Sequence, residues 1–110
     1  MLFQIEGKHV CGLPVALYLP CTIRAYDDHF DFFCGATHVS LANDRITDVC
    51  IKQDRVGISS LTSYLIVNYV NSKGNLTYLS FDVTACANKA CKFIREYSKT
   101  HAKTVTNVSL

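Results

Sequence analysis

Apolar and polar residues alternate in short runs along most of this chain, then change to a helical period near its end. Phe3 and Ile5 alternate with polar neighbours as a first strand, which His9 to Pro14 breaks. Cys21 to Tyr26 alternates up to a turn signal at Asp27-Asp28, and His29 to Cys34 resumes with Phe30 and Phe32 on one face. Gly35-Ala36 turns into Thr37 to Leu41. After the break Ala42 to Arg45, Ile46 to Lys52 places Val49 and Ile51 together. Gln53 to Ser63 is polar, holds Gly57 and lacks a period, so it reads as the main long loop.

The clearest pair of strands follows. Tyr64 to Val70 is β-branched and aromatic, and Leu76 to Val83 sets Leu79, Phe81 and Val83 on one face. Asn71 to Asn75 between them contains Gly74, which can take the positive φ of a tight hairpin. Thr84 is placed to cap a helix. Its expected buried stripe is Ala87, Ala90, Cys91, Ile94, Tyr97, Ser98 and His101, with Lys89, Lys92, Arg95, Glu96 and Lys99 on the other side. The expected fold is mainly β: six to seven antiparallel strands in a small barrel or sandwich, capped by one C-terminal helix. Residues 1–103 form the expected domain, and 104–110 are expected to fray or to make a loose extra strand.

Composition changes this picture little. A chain of 110 residues that is 49% hydrophobic supports one modest core. Residues 1–55 carry five basic and seven acidic side chains, net −2, whereas 56–110 carry six and two, net +4. The excess base lies mainly along the helix, as Lys89, Lys92, Arg95, Lys99 and Lys103. It lacks interleaved aromatics, so the nucleic-acid signal is weak. A basic helix whose apolar face is already used meets lipid weakly if at all. Glu6, Lys8 and His9 interrupt any signal-peptide core, so a cytoplasmic setting is expected, with Cys11, Cys21, Cys34, Cys50, Cys86 and Cys91 as thiols.

Candidate chemistry is sparse. No cysteine lies in a CxxC pair, and His9-x-Cys11, Cys34-x3-His38 and Cys86-x4-Cys91 lack zinc-site regularity. No metal or cofactor is therefore expected. A Cys–His enzyme would need a thiol singled out by its surroundings, and Cys86 at the helix start is the nearest candidate. The expectation is a non-enzyme.

Tyr26-Asp27-Asp28-His29-Phe30, Arg45-Ile46-Thr47-Asp48-Val49, Tyr64 to Tyr69, Leu79-Ser80-Phe81-Asp82 and Lys92-Phe93-Ile94 stand in an order with a known counterpart. From Gly12 to Lys99 the chain resembles the bacterial pleckstrin-homology-like (PH-like) and GRAM-like domains of small Firmicutes proteins. The resemblance implies two nearly orthogonal antiparallel sheets in a partly open barrel, closed at one end by the helix. It also implies a ligand- or protein-binding module. Where such domains hold phosphoinositides, Lys or Arg lies in the loop between the first two strands. That loop is here read as Asp27-Asp28-His29, whose carboxylates repel phosphate.

The expected role is thus adaptor-like protein binding, with homodimerisation by edge pairing as one form. Asp27, Asp28 and Asp31 are candidate contacts for a basic partner, and Lys89, Lys92, Arg95 and Lys99 for an acidic one. The alternative is a phage- or mobile-element-encoded inhibitor of a bacterial defence nuclease, also acting by protein binding.

Overall fold

Seven antiparallel strands form one open sheet, followed by a C-terminal helix, in a computed structural model that describes residues 3–56 and 60–100. The strands are β1 (Phe3–Cys11), β2 (Pro20–Ala25), β3 (His29–Cys34), β4 (Thr37–Ala42), β5 (Ile46–Val56), β6 (Ser60–Val70) and β7 (Leu76–Asp82). Their order across the sheet is β4-β3-β2-β1-β7-β6-β5. The helix, α1 (Ala87–Thr100), packs against β1 and β5.

The sheet bends over itself. Phe32 of β3 stacks on Phe81 of β7 with ring centroids 5.4 Å apart. In a flat sheet those strands, three spacings apart, would be separated by roughly 14 Å. The bend accompanies a register shift in β1 between His9 and Cys11, where it meets β7. Bulges of this kind sharpen local twist. From α1, Phe93 and Tyr97 then meet Phe30 edge-on at 5.9 and 5.0 Å.

The alternations read from the sequence supply this core. Phe30, Phe32, Val49, Ile51, Leu79, Phe81 and Val83 are all buried. The β6–β7 hairpin also closes as expected: Gly74 has φ +80°, and the Asn71 side chain accepts from the Lys73 and Asn75 amides. On the helix the buried stripe is Ala90, Phe93, Ile94 and Tyr97, so Phe93 belongs to a face from which the sequence reading left it out. Ala87 and Cys91 are only partly buried. The side chain of Ser98, and all of His101, Lys103 and the 104–110 tail, lie outside the described residues.

Four expectations are corrected. Gln53 to Ser63 is not a loop: β5 runs to Val56 and β6 starts at Ser60, leaving residues 57–59 as the connection, outside the described residues. Thr84 does not cap α1. Its hydroxyl instead accepts from the Ser63 amide at 3.0 Å, and a 3-10 turn, Thr84–Cys86, leads into the helix. Because Phe3–Cys11 is itself a strand, the Asp27-Asp28 turn joins β2 to β3, not the first two strands, and Ile46 opens the fifth strand after a 3-10 turn, Asn43–Arg45. Finally, the cysteines are not all thiols. Cys21 and Cys34 lie directly opposite on β2 and β3, Cα atoms 4.3 Å apart, and form a buried disulfide.

Candidate functional site

The loop between the first two strands, residues 12–19, begins at a glycine that must be one. Gly12 has φ +106°, and a Cβ there would lie 2.5 Å from the Tyr78 carbonyl oxygen and 2.7 Å from Leu79 Cδ2. The chain then runs Leu13-Pro14-Val15-Ala16-Leu17-Tyr18-Leu19, seven residues without a charge. Leu13, Val15 and Leu19 turn inward against the core. Leu17 and Tyr18 stand out into solvent, 60% and 56% exposed.

His9 holds this loop from inside. Its ring is buried, edge-on to Phe81 at 6.3 Å. The Leu13 amide donates to Nε2 at 3.1 Å, while Nδ1 lies 3.2 Å from the Ala16 carbonyl oxygen. An amide can only donate, so Nε2 is the bare nitrogen and Nδ1–H donates to Ala16: one neutral tautomer satisfies both ends. The His9 backbone adds bonds to Leu19 and Tyr18, at 2.9 and 2.6 Å. The Tyr18 bond fixes a tyrosine at φ +64°, a conformation costing roughly 1–2 kcal/mol outside glycine. Such strain persists only where surrounding contacts over-determine it. The loop is thus a built protrusion.

The acidic residues singled out in the sequence are placed differently from one another. Asp27 and Asp28 are exposed in the β2–β3 turn, whereas Asp31 is 8% exposed on the outer face of β3. Two histidines cover it. His29 Nε2 and His38 Nε2 lie 3.5 and 3.3 Å from its oxygens, and the Ser40 hydroxyl donates to Oδ1. Burial pushes the Asp31 carboxyl up, but the bonds from Ser40 and His38 and the nearby His29 outweigh it, and it sits below the usual carboxylate range. His29 also binds Asp28 through Nδ1 at 2.6 Å. That bond lowers Asp28 and, against partial desolvation and with help from Asp31, raises His29.

Serine, histidine and aspartate therefore meet, but in an order unsuited to activating a nucleophile. Such activation puts the imidazole between hydroxyl and carboxylate. Here the carboxylate is in the middle, and the serine proton points into it. The network continues through stacked rings, His38 on Phe33 at 4.3 Å and Tyr26 on His29 at 4.5 Å, with Arg24 5.0 Å above Phe33. It ties β2, β3 and β4 together and encloses Asp31, so the three aspartates do not form one acidic surface.

Lys89, Lys92 and Arg95 are exposed along α1, and the side chain of Lys99 lies outside the described residues. Lys89 and Lys92 border a cleft of about 360 Å³ between α1 and β1, floored by Phe3 and Phe93. Helix-start activation of Cys86 is not what the structure gives. Its thiol donates to the Glu6 carbonyl at 3.0 Å, and burial raises its pKa despite Lys89 nearby. Burial raises Cys50 as well. Among the described residues no three His, Cys, Asp or Glu side chains converge as a metal site, and no helix is long and apolar enough to cross a membrane.

No family model matches the chain, and no curated protein is significantly similar to it. The candidate site accordingly rests on geometry. Sequence reading passed over Leu13 to Leu19; the signal available was an uninterrupted apolar run without strand alternation, closed by Pro20.

Proposed function

We propose that this chain is a non-catalytic protein-binding module on a PH-like scaffold, engaging its partner through the Leu17–Tyr18 protrusion. The observation that carries this reading is the pairing of exposure with rigidity in that loop. Two adjacent large apolar side chains face water, on backbone anchored by a buried histidine and held at a strained φ. Tyrosine is among the residues enriched at the energetic centres of protein interfaces, and a pre-organised loop loses little entropy on docking.

One further feature supports the PH-like scaffold. The bend of the sheet and the packing of its helix against β1 and β5 fit a partly open barrel closed by a C-terminal helix, although the strands make one continuous sheet, β4-β3-β2-β1-β7-β6-β5, where the resemblance implies two. The loop between the first two strands holds neither Lys nor Arg, so the headgroup-binding variant of that scaffold lacks its charges. The polar cluster at Asp31 supports a binding role over a hydrolytic one, because its serine, histidines and carboxylate are consumed in one another.

Affinity capture with wild type beside a Leu17→Ser/Tyr18→Ser double variant tests the reading. A stoichiometric protein retained by wild type and lost from the variant is expected, and its identity separates a cellular adaptor from an inhibitor. Binding to protein-free lipid vesicles that is lost in the same variant would instead make the loop a membrane contact and overturn the proposal.

A further inference from the structure

Apart from the loop, we propose that the outer face of β5, β6 and β7 carries a second binding site, for a neutral saccharide of two or more units. A depression of about 460 Å³ lies there, lined by Tyr64, Ile66 and Asn68 of β6 and by Tyr78 and Ser80 of β7. Leu79 and Phe81 are buried in the core, so Ser80 between them belongs to the opposite, outer face. It is nevertheless only 6% exposed, which puts it at the bottom of the depression. The register shift in β1 between His9 and Cys11 accompanies the entry of Val10 into the same lining.

The polar groups on this floor are unmet. Among the described residues, neither the Ser80 hydroxyl nor the half-buried Asn68 carboxamide has a hydrogen-bond partner. Buried polar groups are nearly always paired, so the floor calls for a polar occupant.

Register and charge narrow its class. Tyr64 lies opposite Asp82 and Tyr78 opposite Asn68, with Ile66 and Ser80 paired midway. Four residues along the strands and one strand across separate the two tyrosine Cα atoms by roughly 14 Å. A ligand that touches both is therefore elongated, with a ring over each end and polar atoms between. The charged residues of the lining are Lys52 and Asp54, one of each sign. An oligonucleotide needs a net positive track for its phosphates. An apolar helix would leave Ser80 and Asn68 unmet, and an extended peptide pairs along a strand edge, whereas this is a face. A saccharide answers each point. Its hydroxyls both donate and accept, as Ser80 and Asn68 require. The C–H side of each sugar ring lies against the electron-rich face of a tyrosine.

Amide NMR of the full chain tests this, with cellobiose, maltose, lactose and N,N′-diacetylchitobiose titrated in turn. At least one should bind at millimolar concentration and shift the amides of Tyr64, Ile66, Asn68 and Ser80, leaving those of 12–19 in place. Tyr78→Ala should raise its dissociation constant at least about fivefold, as expected for a lost ring contact. Ser80→Ala should weaken binding without lowering the thermal midpoint, since the hydroxyl it removes has no partner in the free chain. Circular dichroism reports that each variant is folded, and Tyr64→Ala serves as a second ring deletion should Tyr78→Ala fail to fold. No shift at these amides from any of the four sugars, or binding indifferent to either the ring deletion or Ser80→Ala, would overturn the proposal. So would a lowered midpoint in Ser80→Ala, or tighter binding of a thymidine dinucleotide at the same amides.

Discussion

The Leu13 amide donates to His9 Nε2 at 3.1 Å, so a histidine on β1 serves as backbone acceptor for the first turn of the exposed loop. His9→Ala leaves that amide and the Ala16 carbonyl without their partner at a residue that is only 4% exposed. Losing buried partners costs about 1–3 kcal/mol. Denaturant unfolding should report that loss, and hydrogen exchange should speed up across residues 12–19 more than in β6. Uniform exchange across the sheet would mean that His9 is ordinary core packing.

Gly12→Ala faces both a positive φ and a collision with the Tyr78 carbonyl. Left-handed strain and overpacking together cost about 2–5 kcal/mol. By contrast Gly74→Ala meets only the φ penalty, since nothing lies within 4 Å of the added carbon. The thermal midpoint should therefore fall further for Gly12→Ala, and equal midpoints would contradict the close approach of β1 to β7.

Much of the fold was legible because one-sided burial writes period two into sequence. Phe30 with Phe32, and Leu79 with Phe81 and Val83, read as buried faces and are buried. Gln53 to Val56 was not legible, since Asp54 and Arg55 are exposed on opposite sides of the strand and give no apolar face. Ladder pairing with β6 makes that segment a strand despite its pattern. Thr84 misled for a related reason: its hydroxyl is drawn to the Ser63 amide, a partner 21 residues away. At Asp31 a charge at an outward-facing position suggests exposure, and only the register that opposes it to Ser40 and brings His38 across reveals the enclosure. The Leu17–Tyr18 protrusion escaped because an apolar run reads alike whether it is covered or bare.

The Asp28–His29 contact sets a pH window. His29 holds its proton more tightly in the folded chain. Its contribution is complete below the unfolded value, near 6.5, and is lost as pH rises through the higher folded one. Asp28 has a lowered folded value, so its contribution is present above about 3.9 and lost as pH falls through that folded value. Both groups are solvent-screened, and the readout is titration itself. The His29 imidazole followed by NMR should titrate above ordinary histidine, and Asp28→Asn should bring it down. A titration unmoved by that change would remove the pair.

The Cys21–Cys34 bond spans a sequence separation of 13. Cross-links closing loops of that size contribute about 3 kcal/mol. The chain prepared without reductant should accept four alkylating groups, at Cys11, Cys50, Cys86 and Cys91, and six after reduction under denaturing conditions. Reductant should lower the unfolding midpoint of wild type and leave that of Cys21→Ala/Cys34→Ala unchanged. Six groups taken up before reduction would show that these two sulfurs are thiols.

The central claim is that the 12–19 loop is the docking element, and site-specific photo-crosslinking addresses it most directly. A photoreactive phenylalanine analogue at Tyr18, compared with one at the exposed hairpin residue Lys73, should yield a single discrete protein adduct from position 18 alone. Adducts of equal intensity from both positions, or from position 73 only, would contradict the account.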